Sequence, residues 1–198
     1  MATILELDTC ATKSLAVCAH PSTSWVALRL ASRLLEFSFH GLPWIIFSCI
    51  GIVMASNDKE THLKVNFLLA LFLDLVVVVI IKSTVQRPRP QHNSPGDNMV
   101  TFDLDKRFSF PSGHTTRAIM CGCLLLHCFD LNLVYQYGVI CWAISASVSR
   151  IILGRHYVSD VVAGAGIGFL QFYVMIHYLW LDKHYCWQFH TLTRSVFG

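Results

Sequence analysis

Long apolar runs constrain the fold of this chain more than any other feature of its sequence. The runs cover residues 41–56, 63–81, 115–129, 133–149 and 157–181. A spanning helix needs about 20 apolar residues. The first run is shorter than that, but it reaches this length when residues 37–40 are included. Only 14% of the residues are charged, whereas soluble domains carry about 25%. We therefore predict an all-α integral-membrane bundle of about five spanning helices.

The segment before these runs predicts a different kind of helix. Residues 24–39 place Arg29, Arg33 and Glu36 on one stripe at helical spacing, beside an apolar surface. Two arginines are costly at the bilayer centre, which favours an interfacial amphipathic helix over a spanning one. The predicted domains are a flexible N-terminal tail at 1–21, a membrane-embedded domain at 22–182 and a C-terminal tail at 183–198.

Two features inside the apolar runs indicate packing. Asp74 lies in the second run, where an acid faces protein or water, and we interpret it as making a hydrogen bond within the protein. Gly164 and Gly168 are four residues apart in the last run, a spacing that favours close helix contact over a ligand site.

Three polar clusters interrupt the apolar pattern, and the topology predicts that they meet. The clusters are Lys82 with residues 87–90, residues 110–115, and Ser149 with Arg150, His156 and Asp160. The second run ends at the first cluster, the third run starts at the second cluster, and the fourth run returns to the third cluster. All three clusters are therefore expected at one face of the bilayer.

The second cluster has the chemistry of an anion site. Ser112 and Gly113 open a helix whose first backbone N–H groups have no partner within the helix, at the positive end of its dipole. Gly113 has no side chain to keep an anion away from the backbone. His114 then lies beside that anion as a potential proton donor.

In the third cluster, His156 and Asp160 are four residues apart at the start of a helix, so they share one face. A carboxylate there can hold one ring nitrogen protonated and leave the other as a nucleophilic lone pair. An isolated pair of this kind is more often a helix staple. Because Arg150, Arg155 and His114 accompany it, we interpret it as catalytic.

Three cations lie at the water-facing ends of the predicted helices, namely Lys82, Arg89 and Arg150. Each by itself could be a snorkelling anchor. Arginine, however, offers paired donors that match phosphate oxygens. Three cations that converge on a helix N-terminus resemble a phosphoryl cage, in which charge stabilisation does much of the catalysis.

The sequence predicts no metal, no cofactor and no nucleic-acid partner. Asp97, Asp103 and Asp105 lie in the polar loop at 87–110 and form no cluster suited to a divalent ion. No cysteine pair has zinc-ligand spacing with a second pair. Basic clusters would suit a nucleic acid, but the apolar runs between them would not.

Together the clusters resemble the three signature motifs of the type 2 phosphatidic acid phosphatase family, whose superfamily also includes glucose-6-phosphatase and vanadium haloperoxidases. The matching segments are Lys82-x6-Arg89-Pro90, Pro111-Ser112-Gly113-His114 and Ser149-Arg150-x5-His156-x3-Asp160. The short chain and the wording RPRP, FSFPSGHTTRA and LGRHYVSDV resemble the presqualene and polyisoprenoid diphosphate phosphatase branch.

This resemblance implies a role for each motif residue. His156 would be the nucleophile that forms a phosphohistidine, and Asp160 would orient it. His114 would protonate the leaving oxygen and then activate water. The phosphoryl oxygens would be held by Lys82, Arg89, Ser112, Gly113 and Arg150. The implied substrate is a phosphate monoester or diphosphate of a membrane lipid, such as presqualene or farnesyl diphosphate, and no metal takes part.

Other arginines are candidates for binding a second phosphate. Arg117 lies one helical turn after His114 on the same side, and Arg87 belongs to the first cluster. Further basic residues that could join them are Lys106, Arg107 and Arg155. For Lys106 and Arg107, a role as solvated loop charges is an equally good interpretation.

The resemblance also implies a membrane of the endoplasmic reticulum or nuclear envelope, with the active site on the non-cytosolic side. The positive-inside rule, counted over all Lys and Arg, puts the motif face in the cytosol instead. Those charges already have a catalytic explanation, so we discount that count. Lys59, Lys64 and Lys183 lie near the opposite face and favour that face as cytosolic.

Two other functions fit parts of the pattern. A catalytically silent membrane protein of the same fold would act by binding lipid or protein, but the intact His114, His156 and Asp160 argue against it. Haloperoxidase chemistry with bound vanadate is the second, and the membrane spans argue against it.

Overall fold

The computed structural model describes residues 3–91 and 107–197, and these ranges are helical with no β-strand. The α-helices are α1 (Ile4–Leu15), α2 (Val26–Ser38), α3 (Gly41–Val53), α4 (Asp58–Val85), α5 (Gly113–Cys128), α6 (Leu133–Ile152), α7 (Val158–Val174) and α8 (Lys183–Phe197). A π-helical turn, Met175–Leu179, continues α7. The predicted all-α fold is confirmed.

Fewer helices than expected are long and apolar enough to cross a membrane. In the described part of the chain, α4 and the continuous helix Val158–Leu179 are, with mean hydropathies of 2.5 and 1.5. The α2 and α3 helices are long enough only when they are taken together as one span that is bent by 44°. The count is therefore two or three rather than about five. One reason is that α5 has only 16 residues, roughly 24 Å of helix.

The helix expected at 24–39 forms as α2, and two of the three residues of its polar stripe, Arg29 and Glu36, face the bundle, whereas Arg33 is exposed. Arg29, Ser32 and Glu36 are all buried. The Arg29 guanidinium donates to the Cys18 carbonyl, and Glu36 pairs with Arg150 of α6. Partners within the protein offset part of the cost of burying these charges, and the interfacial position of this helix stays a prediction.

The expected flexible tail at 1–21 instead contains α1. The Thr3 N–H donates to the Glu6 carboxylate at 2.6 Å, and the Glu6 N–H donates to the Thr3 hydroxyl at 3.3 Å, which forms a capping box. Thr12 is buried, and its hydroxyl accepts from the Val158 N–H at 3.1 Å. A local cap and a contact with α7 together order this segment.

The two glycines of the last apolar run bring α7 against α5. A Cβ on Gly164 would lie 3.1 Å from the Ser112 carbonyl oxygen, and one on Gly168 would lie 2.3 Å from the Thr116 carbonyl oxygen. Real Cβ atoms are not found at 2.3 Å from such an atom, so this approach requires glycine. The predicted packing role of the pair is confirmed.

An apolar core fills the middle of the bundle and joins α4, α5 and the end of α7. Its fully buried members include Leu71, Met120, Leu124 and Met175. At the far end of α4, Asn66 donates to the Leu181 carbonyl at 3.1 Å and accepts from the Leu181 N–H at 2.7 Å. These bonds hold the chain that enters α8 against α4.

Candidate active site

The first polar cluster lies at the end of α4. Lys82 is buried in the last turn, and its Nζ donates to the Phe108 carbonyl at 2.8 Å. The helix ends at Gln86, which has a left-handed φ of 50°, and the chain then turns. Arg89 Nη1 donates to the Arg155 carbonyl at 3.2 Å. The first cluster therefore contacts the turn of the third cluster and the chain just before the second cluster.

The second cluster opens α5 in the predicted way. Ser112 is buried at the N-cap position, and its hydroxyl accepts from the Thr115 hydroxyl at 2.9 Å rather than from the helix backbone. His114 is also buried, and its Nε2 has no hydrogen-bond partner among the described residues. A buried, unsatisfied ring nitrogen calls for an explanation, and a substrate oxygen would provide the missing partner.

The third cluster lies where α6 turns into α7. Gly154 makes the turn with a φ of 67°, a conformation that favours glycine. The N–H groups of Arg155 and His156 both donate to the Arg150 carbonyl, at 2.9 and 3.3 Å. Arg150, Arg155 and His156 are exposed by no more than 2% of their surface. The turn thus buries three basic side chains side by side.

The His156 ring is held in one tautomer. Its Nδ1–H donates to the Ser109 carbonyl at 2.7 Å. Because a carbonyl oxygen only accepts, the proton stays on Nδ1 and the lone pair is on Nε2. Asp160 Oδ2 lies 3.8 Å from the same Nδ1. The Ser109 carbonyl is therefore the nearer orienting group, a contact that the sequence did not predict.

Asp160 has its own fixed environment. One carboxylate oxygen accepts from the Tyr157 N–H at 2.9 Å, and the other accepts from Arg87 Nη1 at 2.8 Å. Its backbone carbonyl accepts from the Ser112 N–H at 3.2 Å. Asp160 therefore ties the third cluster to the second through its main chain and to the first through its side chain.

The three clusters converge at one end of the bundle, which we call the motif end. His114 of the second cluster interacts electrostatically with Arg150 and His156 of the third. The residues with predicted roles at this end are Lys82, Arg89, Ser112, Gly113, His114, Arg150, His156 and Asp160. Two imidazoles and several cations thus share one site, an arrangement suited to holding and transferring a phosphoryl group.

Two acidic residues of the motif end were not predicted. Glu36 of α2 is buried, and its Oε1 lies 2.5 Å from Arg150 Nη1 and 3.6 Å from Arg155 Nε. Asp8 of α1 pairs with Arg87 at 2.8 Å. The polar stripe of α2 was the only sign of Glu36, and nothing in the sequence around Asp8 distinguishes it from a solvated acid.

The two arginines considered for a second phosphate both have carboxylate partners. Arg117 pairs with Asp74 at 2.8 Å and donates to the Phe39 carbonyl at 3.0 Å. Arg87 pairs with Asp8 and Asp160. Asp74 is buried within the protein, as predicted. The second-phosphate role of the two arginines stays a prediction.

Several predicted features fall on the chain between residues 91 and 107, outside the described residues. They are Lys106 and the acidic residues Asp97, Asp103 and Asp105. Arg107 is described and exposed. In the described ranges, no group of three or more His, Cys, Asp or Glu residues is arranged to hold a metal ion.

Comparisons with known proteins agree with this geometry. The PAP2 superfamily profile matches residues 63–183. The probable lipid phosphate phosphatase beta of Arabidopsis thaliana is 32% identical in an alignment 145 residues long that covers 60% of this chain and 67% of that protein. The decaprenylphosphoryl-5-phosphoribose phosphatase of Mycobacterium tuberculosis is 29% identical over 141 residues, which are 71% of this chain and 74% of that protein.

Two crystal structures share the fold. Aquifex aeolicus LpxE aligns with a TM-score of 0.61 and 23% identity over 87% of this chain and 96% of that one. The transmembrane PAP2-type phosphatidylglycerolphosphate phosphatase of Bacillus subtilis aligns with a TM-score of 0.63 and 20% identity over 89% of this chain and 86% of that one.

The apolar helices, two of which are long enough to cross a bilayer, identify an integral membrane protein. All three signature segments lie at its motif end, and the profile match covers more than half of the chain. The chain belongs to the PAP2 superfamily, and the relatives described above are phosphatases.

Proposed function

We propose that this protein is a membrane lipid phosphatase that works through a phosphohistidine without a metal, with an isoprenoid diphosphate as its substrate. The observation that carries this proposal is the His156 ring. Its Nδ1–H bond to Ser109 puts the nucleophilic lone pair on Nε2, and the cations Arg150 and Lys82 are buried at the same end of the bundle. The isoprenoid preference draws support from the relative that acts on a decaprenyl lipid.

The first step transfers the phosphoryl group to the enzyme. His156 Nε2 attacks phosphorus, and the bond between phosphorus and the leaving oxygen breaks. His114 donates its proton to that oxygen. The dianionic substrate favours the protonated form of His114 before transfer. Lys82, Arg89 and Arg150 stabilise the charge on the phosphoryl oxygens.

The second step releases phosphate. His114, now neutral, takes a proton from a water molecule, and the water oxygen attacks phosphorus. The bond from phosphorus to Nε2 breaks, which restores the lone pair on His156 and frees inorganic phosphate. Asp160 and the Ser109 carbonyl keep the ring oriented in both steps.

An assay of the purified protein in detergent tests the proposal. Presqualene diphosphate, farnesyl diphosphate and phosphatidic acid are each supplied in the presence of a chelator, with His156→Ala as the control. We expect phosphate release that the chelator does not change and that His156→Ala abolishes. No release from any of the three lipids would overturn the enzyme assignment in favour of a binding protein, and loss of activity with chelator would overturn metal independence.

The diphosphate preference has its own test at Arg117. If this side chain contacts a second phosphate, Arg117→Ala should impair diphosphate turnover more than monophosphate turnover. Its pairing with Asp74 offers a purely structural alternative, which would lower both activities equally. The ratio of kcat/KM for farnesyl diphosphate to that for phosphatidic acid distinguishes the two, and equal losses would refute the second-phosphate role.

We also propose that the protein resides in the endoplasmic reticulum or nuclear envelope, with the motif end on the non-cytosolic side. The α8 end of the bundle would then face the cytosol. Protease added to sealed microsomes should remove a tag that follows residue 198. A protected tag would contradict this orientation.

A further inference from the structure

Helix α1 lies across the beginning of α7, the helix that carries Asp160. The Val158 N–H donates to the Thr12 hydroxyl at 3.1 Å, and the Ser159 N–H donates to Asp8 Oδ1 at 3.1 Å. Both donors belong to the first turn of α7, where N–H groups have no partner within the helix. A carboxylate is also favoured at this end of the helix dipole. Asp8 and Thr12 therefore cap α7 from another helix.

Asp8 also pairs with Arg87, the arginine that binds the Asp160 carboxylate. Arg87 Nη2 lies 2.8 Å from Asp8 Oδ2, and Arg87 Nη1 lies 2.8 Å from Asp160 Oδ1. The two carboxylates thus bind the two ends of one planar guanidinium group. The Ser159 hydroxyl completes the network, since it donates to Asp8 Oδ2 at 2.5 Å and accepts from Arg87 Nη1 at 2.7 Å.

The position of this arginine leaves it little freedom. Its guanidinium carbon lies 3.8 Å above the centre of the Tyr157 ring, a cation–π contact. The side chains of Arg87 and Asp8 are 17% and 9% exposed, so water weakens their pairing only partly. Because the planar guanidinium of Arg87 is held by Asp8, Asp160 and Tyr157, it restricts the Asp160 carboxylate to a narrow range of positions.

Asp8 carries a negative charge at neutral pH. Burial raises the pKa of this carboxyl, but the hydrogen bonds from Ser159 and Arg87 have the larger combined effect and hold the pKa below its ordinary value. The charge of Asp8 therefore persists at every pH above that lowered value, which covers the physiological range.

From these contacts we infer that Asp8 is a positioning residue for the phosphatase reaction. Through Arg87 it fixes the Asp160 carboxylate, and through Asp160 it fixes the orientation of the His156 ring. This inference rests on the proposed function. It makes α1 a part of the structure that supports the active site.

The test compares kcat and KM of the full-length protein in detergent, with the lipid most rapidly hydrolysed in the assay above. Asp8→Asn keeps the shape of the side chain and removes its charge. We expect kcat to fall about 10- to 100-fold, the range for small displacements of a catalytic group. KM should change much less, because Asp8 is not one of the proposed phosphate ligands. Asp8→Glu, which restores the charge, should recover part of the loss, and Lys13→Gln on the exposed side of α1 serves as the matched control.

A double variant separates positioning from a general loss of structure. If Asp8 acts through Arg87, then Asp8→Asn should add little to the kcat loss of Arg87→Gln. Losses that multiply would overturn the inference, as would a wild-type kcat in Asp8→Asn. Should Asp8→Asn fail to fold, Arg87→Lys replaces it, since it keeps the charge but lacks the planar group that binds both carboxylates at once. An unchanged kcat in that variant would equally overturn the inference.

The outcomes also separate this inference from the proposed function. Activity that is lost in His156→Ala but retained in Asp8→Asn overturns the role of Asp8 alone. A wild-type protein that releases no phosphate from any of the three lipids overturns the proposed function and the inference together.

Discussion

The two ends of α4 bury different kinds of polar group. Lys82 at the motif end and Asn66 toward the α8 end are 16 residues apart, roughly 24 Å along the helix. The motif end buries charges, including Arg150, His156 and Asp160. The α8 end buries the neutral amide of Asn66, which makes hydrogen bonds to Leu181 and His62.

The two kinds of buried group differ in what they cost the folded protein. A satisfied neutral amide contributes to stability at modest cost, because its hydrogen bonds replace those to water. Burying a charge costs more than its pairing usually returns. The motif end carries that cost at several positions, which agrees with the roles in binding and chemistry that we propose for its charges. The α8 end carries no such cluster among the described residues, so its polar contacts serve packing.

The largest effect should follow the loss of Glu36, whose carboxylate lies between Arg150 and Arg155. Removing one partner of a buried ion pair costs about 3–5 kcal/mol, so Glu36→Ala should lower the free energy of unfolding by about that amount. Activity should fall as well, since Arg150 is a proposed phosphate ligand. Thermal unfolding in detergent and phosphate release measure the two effects.

Added inorganic phosphate sharpens this prediction. An anion that occupies the motif end should stabilise Glu36→Ala more than wild type, because it supplies the negative charge that the variant lacks. Glu36→Gln, which keeps the side-chain volume, should lose less stability than Glu36→Ala. A Glu36→Ala protein as stable as wild type would contradict the view that the motif end depends on this charge.

A smaller effect is expected where α7 meets α5. In Gly168→Ala the new methyl group would overlap the Thr116 carbonyl oxygen, so α5 must shift. Overpacking of this kind costs about 1–3 kcal/mol, and the shift should also lower kcat, because Thr116 follows His114 by two residues. Gly166→Ala is the matched control on the same helix, since a Cβ there meets no atom within 4 Å. Equal melting temperatures for the two variants would refute the close contact.

The smallest effect should come from the α8 end. Asn66→Ala removes the hydrogen bonds to Leu181, and we expect it to lower the free energy of unfolding by about 1–2 kcal/mol. The kcat of the folded protein should equal that of wild type, because the site lies at the other end of α4. A kcat reduced at temperatures where the variant is folded would show that the two ends are coupled.

Much of the candidate site could be predicted because helix ends alternate between faces. Lys82 ends one apolar run and His114 begins the next, so their common face follows from counting runs. Glu36 and Asp8 could not be found in this way. Their partners Arg150 and Arg87 are 114 and 79 residues away in sequence, and a single carboxylate gives no local sign of a distant guanidinium.

Tertiary partners also decided which polar residues of α2 are buried. The Cys18 carbonyl binds Arg29 and Arg150 pairs with Glu36, so both face the protein, while Arg33 on the same stripe is exposed. The sequence of α2 does not show this difference. The segment at 1–21 was expected to be flexible for the same reason, because its docking on Ser159 and Arg87 is invisible in its own composition.

The amino-acid order alone was enough to predict the helical class, a close helix contact at Gly164 and Gly168, and the three motif segments. These properties depend on apolar length, on residue spacing along a helix and on side-chain chemistry, all of which are local. The carbonyl that orients His156, the carboxylate beside Arg150 and the capping of α7 by α1 were decided by the tertiary structure. Such contacts join segments that are distant in the chain, and only packing determines which buried charge meets which partner.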